Sequence, residues 1–486
     1  MVNFRIVSKI IGQLLFLESA FMLCCVAVSV YYGEEDLFAF LFSLGVTLAA
    51  SFIFKFFGIG APDNMSRRDA YFVVTATWVA FSLFGMLPYL VGGYITDVTD
   101  AYFETMSGFT TTGVSVITSV ETLPHGVLFW RSLTEWIGGL GIVFFTIAVL
   151  PSMVGGSMKV FAAEASGVLS TRMHPRLSTN ARWIWSVYSA LTFACALAYK
   201  VAGMGLFECV NYAMATTATG GFCIHDAGLS AFGSPAIEYV CAVFQLLAGI
   251  NFTLLYMIFF KGQFGTLKRS TELRTYLSVI ALCTVWVMFL LVGQGDYDVS
   301  DAFRSALFHV TSFVATTGLS LDDNIGSWPR VTWMILTACM FLGACSGSAG
   351  GGLKCVRGAV LLKVLRSEFT RLLHPNAVLP VRVDGACVAG TRLTGVLTFF
   401  VAYVLLCVGV TALLVATGIS GQDALTVAIG CMTNCGPALG AGADGAMTWA
   451  DLSQPVKWFC SMLMLVGRME ILSVLVLFTP LYWKDN

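Results

Sequence analysis

Four short stretches of threonine and glycine carry the chemistry that can be read from this chain. They are Thr110-Thr111-Thr112-Gly113-Val114-Ser115, Thr217-Ala218-Thr219-Gly220-Gly221-Phe222, Ala315-Thr316-Thr317-Gly318-Leu319-Ser320 and Thr433-Asn434-Cys435-Gly436-Pro437-Ala438. Their glycines Gly113, Gly220, Gly318 and Gly436 stand 107, 98 and 118 residues apart by subtraction. An ion that leaves water needs its hydration shell replaced, and rings of backbone carbonyls do this without carrying charge. Glycine permits the backbone angles that aim carbonyls inward and takes no room at a crowded axis. Threonine adds a hydroxyl that can close the ring or brace the loop. A short helix that ends at each stretch would turn its partly negative C-terminal end to the axis, which favours a cation. An anion pore would instead want rings of Arg or Lys. The candidate coordinating positions are Thr111, Thr112, Gly113 and Val114; Ala218, Thr219, Gly220 and Gly221; Thr316, Thr317, Gly318 and Leu319; and Asn434, Cys435, Gly436 and Pro437. The fourth copy departs most, so the ring is not fourfold symmetric in its side chains, and carbonyls alone would coordinate from that quarter.

A second pattern lies at Gly343-Ala344-Cys345-Ser346-Gly347-Ser348-Ala349-Gly350-Gly351-Gly352, in the middle of the apolar run 329–364. So many glycines and serines do not hold a helix. Irregular backbone at membrane depth survives only where protein covers it or where it lines a wet cavity. The break follows the third Thr/Gly stretch and should hang just below it. A gate formed by Gly347, Ser348, Ala349, Gly350 and Gly351 is favoured over a plain linker, because no other copy shows such an insert. Arg468 stands roughly 21 Å along a helix that starts near Gln454. A lone arginine there costs at least about 2.5–3.5 kcal/mol in lipid. Glu470, two residues on, does not share its helix face. Arg468 is therefore expected to point into the pore below the four stretches and to donate to carbonyls of 343–352.

Other chemistries lack their residues. The 15 cysteines lie mostly inside apolar runs, with no CxxC pair, and the five histidines are scattered, so no metal cluster is expected. No nucleophile and base form a set, and Lys354 does not follow a phosphate-binding glycine loop in the required spacing. The chain is not expected to be an enzyme.

The elements that must position these loops follow from composition. The 486 residues are 57% hydrophobic and 11% charged, where a soluble protein has roughly 25% charged residues. Runs long enough to span a membrane fall near 8–32, 37–58, 70–94, 125–150, 181–204, 236–260, 275–293, 329–364, 393–417 and 454–482. The first is too long for a signal-peptide core and lacks a small-residue cleavage site. Shorter pieces near 98–109, 206–216, 301–314 and 422–432 read as re-entrant half-helices. The fold class expected is an all-α integral membrane protein. It has ten transmembrane helices plus four pore half-helices, arranged as four helix–pore loop–helix repeats around one pore. The expected divisions are 1–66 for two extra N-terminal helices, then repeats at 67–155, 156–265, 266–385 (with the broken helix) and 386–486. Basic clusters between alternate runs put them and both termini in the cytoplasm. The opposite face is acidic. That is either what a lack of Lys and Arg leaves behind or a vestibule that concentrates cations. Glu18 in the first helix is expected to have a buried partner and no assigned function.

Together, the four loops with Gly113, Gly220, Gly318 and Gly436, the break at 343–352 and the Gly467-Arg468 helix make the chain resemble the Trk/Ktr/HKT superfamily of potassium transporters. The two extra N-terminal helices match its bacterial TrkH/TrkG branch. The resemblance covers essentially the whole chain and implies a bacterial inner-membrane protein. It implies K+ bound at Thr112, Gly113, Thr219, Gly220, Thr317, Gly318, Cys435 and Gly436. It also implies K+ and Rb+ preferred over Na+, because related plant members with serine at the position of Gly113 carry sodium. It maps the family's arginine onto Arg468 and its gating loop onto 343–352. It implies a homodimer and a cytosolic TrkA-like partner with nucleotide-binding RCK domains, so that nucleotide acts only through the partner. That partner would dock on 151–181, 261–274 and 366–392. A proton- or sodium-coupled symporter stays open beside a gated conduit, with Glu470 as its strongest relay candidate.

Overall fold

A computed structural model describes residues 2–62, 65–141, 177–295, 297–321, 328–377, 379–436 and 448–484. Pro437, the acids Asp322 and Asp323, and most of the expected docking segment 151–181 lie outside the described residues. The described residues are mainly helical. One departure from the all-α expectation is a small antiparallel hairpin in which Arg382–Val383 pairs with Ala386–Cys387.

Phe4–Tyr32 and Leu37–Phe57 form a helical hairpin. Gly12 lets the two backbones approach closely, and the Ser51 hydroxyl donates to the Gly12 carbonyl at 2.6 Å. The tip of the hairpin holds the start of helix His125–Gly139: Glu34 accepts from the His125 backbone N–H and meets its Nδ1, both at 2.6 Å. Glu18 is fully buried and its carboxylate oxygens have no hydrogen-bond partner among the described residues, contrary to the expected pairing.

The four half-helices are Val98–Phe109, Leu206–Ala218, Val299–Val314 and Gly421–Thr433. Each carries an acid in its first turn: Asp100, Glu208, Asp301 and Asp423. Carboxylates belong there, where exposed N–H groups and the helix dipole present positive charge. This gives the acidic face a third origin beyond the two read from sequence. Two of these acids are ion-paired: Asp100 with Lys457 at 2.6 Å and Asp301 with Arg304 at 2.8 Å.

Among the described residues six helices are long and apolar enough to cross a membrane, and two bent pairs raise this to eight. The count of ten is not reached for two reasons. The run 125–150 leaves the described residues after 141, and the run 329–364 divides into Arg330–Leu342 and Cys355–Leu373. Two of the runs read as single crossings, 236–260 and 454–482, are sharply bent as well. Pro235–Ala248 meets Phe252–Phe259 at 103°, and Gln454–Arg468 meets Leu472–Phe478 at 111°. The physical reason is local crowding: Gly249 lies against the Tyr276 side chain of helix Thr271–Gln294, and Gly467 against the Met432 carbonyl at the end of half-helix Gly421–Thr433.

Candidate ion path and its closure

Each half-helix ends in the same way. Thr111, Thr219, Thr316 and Asn434 adopt left-handed backbone with φ of 54°, 54°, 58° and 53°. The next N–H then reaches back five residues to a carbonyl: Thr112 to Ser107 at 2.9 Å, Gly220 to Ala215 at 3.0 Å, Thr317 to Ser312 at 2.7 Å and Cys435 to Gly430 at 3.1 Å. This is a Schellman ending, in which glycine is the usual left-handed residue. Threonine and asparagine there are uncommon, and four equivalent instances at four functional candidates point to a shared constraint.

The shared ending fixes the register. Thr112, Gly220, Thr317 and Cys435 are equivalent, and so are Gly113, Gly221, Gly318 and Gly436. The glycine matching Gly113 in the second copy is thus Gly221 and not Gly220, a correction of one residue to the sequence alignment. The backbone gives the reason: Gly113, Gly221 and Gly318 share positive φ of 75°, 95° and 79°, whereas Gly220 is not among the positive-φ residues. A Cβ added to Gly113 would overlap the Gly220 carbonyl, and one on Gly221 the Thr317 carbonyl. One on Gly436 would come 2.6 Å from the Thr112 carbonyl. Three of the four glycines thus face the carbonyl just before the next copy's glycine, from first to second, second to third and fourth back to first. Val114, Ala218, Leu319 and Cys435 are buried around this arrangement, and Ser312 holds the Leu319 carbonyl at 2.7 Å.

Residues that sequence reasoning passed over hold the loops from behind. Glu104 is fully buried and accepts from Ser115 Oγ and the Val116 N–H, both at 2.9 Å, and from Arg131 Nε at 3.1 Å. Arg131 also donates to the Cys223 carbonyl at 2.9 Å and lies over the Phe222 ring at 4.2 Å. Glu135 accepts from the Phe222 N–H at 2.8 Å. Their signal was present in the sequence: Arg131 and Glu135 are charges four residues apart inside an apolar run. In the fourth copy, Asn434 Nδ2 donates to Thr112 Oγ1 at 3.1 Å and to the Met464 carbonyl at 2.9 Å. That quarter therefore binds its neighbours through a side chain as well as its backbone.

The break at 343–352 lies against the inner side of the third and fourth loops. The Gly351 N–H donates to Thr316 Oγ1 at 2.7 Å, and a Cβ on Gly351 would overlap the Thr433 carbonyl. Gly350 stands against the Ala315 carbonyl. The Gly347 carbonyl accepts from Phe252 N–H at 3.0 Å, which ties the break to the bend of the second copy, and Ser348 Oγ turns back to the Cys345 carbonyl at 2.6 Å. Arg468 donates to the Ala349 carbonyl at 2.9 Å and to the Gly139 carbonyl at 2.8 Å, and also to that of Gly138. Glu470 pairs with Arg357 instead. Lys354 Nζ adds a bond to the Gly350 carbonyl at 2.6 Å. Cations and a loop thus lie directly against the ends of the third and fourth half-helices.

The family model described as the TrkH cation transport protein matches residues 46–485. The chain is 34% identical to a Trk system potassium uptake protein TrkH of Halomonas elongata, with 99% of this chain and 100% of that protein covered. It is 33% identical to the protein of the same name from Escherichia coli, with the same coverage. The crystal structure of the potassium transporter TrkH from Vibrio parahaemolyticus superimposes with a TM-score of 0.89 at 32% identity, covering 99% of this chain and 100% of the other. These relatives are membrane transporters and not enzymes, and with a matched family model and relatives aligned over nearly its full length, the chain belongs to the TrkH family of cation transport proteins.

Proposed function

We propose that the chain is the K+-selective ion-translocating subunit of a potassium uptake system, with a filter built from the four Thr/Gly loops. The observation that carries this reading is the ring of glycine-to-carbonyl contacts linking Gly113 to Gly220, Gly221 to Thr317 and Gly436 to Thr112. Such a ring offers neutral oxygens to a dehydrated cation. Gly347 to Gly351 and Arg468 form the gate, because they fill the space inward of the ring with positive charge and backbone. The repeats run from 67 onward in the divisions expected from sequence, behind two extra helices, with ten crossings and both termini in the cytoplasm of the bacterial inner membrane. A homodimer controlled by a cytosolic nucleotide-binding partner fits the branch resembled. A coupled symporter is the weaker reading, since Glu470, the relay candidate read from sequence, is ion-paired with Arg357.

Rb+ uptake into proteoliposomes holding only this protein tests the reading. Uptake driven by a K+ gradient alone, competed by K+ and Cs+ and little by Na+, is expected. Uptake that requires an imposed proton or sodium gradient would replace the conduit by a symporter.

A further inference from the structure

The second copy differs from the others at one register position. Thr112, Thr317 and Cys435 carry side chains there, and Gly220 has none. The room is taken by Glu135, reaching in from helix His125–Gly139: a Cβ added to Gly220 would overlap its carboxyl group. Glu135 is fully buried. Its Oε1 accepts from Phe222 N–H at 2.8 Å, and its Oε2 has no hydrogen-bond partner among the described residues. Arg131, one turn earlier, turns its donors to Glu104, Ser115 Oγ and the Cys223 carbonyl. Two carboxylates and one guanidinium therefore stand buried behind the first two loops, and the pairing leaves Glu135 over.

We propose that Glu135 sets the cation affinity of the ring: a carboxylate seated behind Gly220, for which the transported cation is the counter-charge. The inference rests on reading the loops as a cation filter. A buried carboxylate without a partner is costly unless it takes up a proton, and a cation in the ring favours the charged form by serving as its counter-charge. The attraction is strong because little water screens it. Glu135 reaches the ion through the loop, so it is a positioning residue, and it makes one quarter of the ring electrostatically unlike the other three.

The test is the concentration dependence of Rb+ uptake in proteoliposomes of the full chain. Glu135→Gln keeps the shape and the oxygen that accepts from Phe222 N–H. It is expected to raise the half-saturating Rb+ concentration about tenfold, with maximal uptake little changed. The double variant Glu135→Ala with Gly220→Thr refills the space with the neutral side chain of the first and third copies, and it is expected to keep the raised value. A wild-type half-saturation in Glu135→Gln would overturn the proposal. Recovery in the double variant would do the same, by reducing Glu135 to a packing group. Gly113→Ser in parallel separates the two levels. If that variant loses K+ preference while Glu135→Gln is silent, only the role of Glu135 fails; if it keeps full selectivity, the filter reading itself fails.

Discussion

Arg468 Nη1 donates to the carbonyl of Ala349 at 2.9 Å, so the cation that ends helix Gln454–Arg468 is bonded to the middle of the break between Arg330–Leu342 and Cys355–Leu373. The same guanidinium holds the Gly138 and Gly139 carbonyls of helix His125–Gly139. One side chain thus joins the first, third and fourth copies just inward of the proposed filter.

Removing that junction should free the break. Hydrogen bonds to charged groups are worth about 1.5–3 kcal/mol each, so losing even one shifts a closed–open balance by about tenfold or more. Arg468→Ala is expected to raise basal Rb+ flux by at least about tenfold in the absence of any partner. Arg468→Lys, which keeps the charge but not the fork, should fall between. Flux equal to wild type in both variants would remove Arg468 from the gate.

Arg131 and Glu104 make a pair that is almost wholly buried, at 3.0 Å. Breaking one partner of such a pair strands the other and costs about 3–5 kcal/mol. Arg131→Met should lower the thermal midpoint in detergent by several degrees, and Arg131→Met with Glu104→Gln should recover much of the loss. Equal loss in the single and double variants would argue against an electrostatic role for the pair.

The register drawn from backbone makes its own prediction. Gly221→Ser requires a side chain at φ 95° and against the Thr317 carbonyl, so it should damage K+ over Na+ selectivity as strongly as a serine at Gly113. Competition of Rb+ uptake by Na+ measures this. A silent Gly221→Ser would return the ring position to Gly220.

Cys387 is exposed in the small hairpin, while most other cysteines are buried. In the proposed topology a membrane-impermeant maleimide should label it in inside-out vesicles and leave it unlabelled in intact spheroplasts. Labelling from the outside would invert the topology.

Much of this arrangement was legible before any coordinates. The half-helix 98–109 was bounded to the residue, and the others to within two residues, because an apolar run too short to span and a glycine-rich stop are both local signals. The contact of Arg468 with 343–352 was also legible, since a mid-membrane arginine has few acceptors other than carbonyls. Three features were not. The one-residue register of the second copy depends on which residue turns left-handed, and Thr219-Gly220-Gly221 offers two glycines to choose from. The bends after Ala248 and Arg468 go with tertiary crowding, by Tyr276 at Gly249 and by the Met432 carbonyl at Gly467, which leaves no proline in the sequence at those points. Arg131 and Glu135 stand out as charges inside an apolar run, but their partner Glu104 lies on another helix, 27 residues before Arg131, and no local pattern marks that meeting.

The central claim is that the ring of glycines and carbonyls selects the ion. The most direct measurement is the K+ to Na+ permeability ratio of the wild-type chain and of Gly113→Ser, taken from reversal potentials in the same reconstituted bilayer. Gly113 has φ 75° and abuts the Gly220 carbonyl, so a serine there must displace a ring oxygen. The account predicts a ratio well above unity in the wild type and a fall of at least about tenfold in the variant, the loss of roughly one well-made coordinating contact. Equal ratios in the two proteins would contradict it.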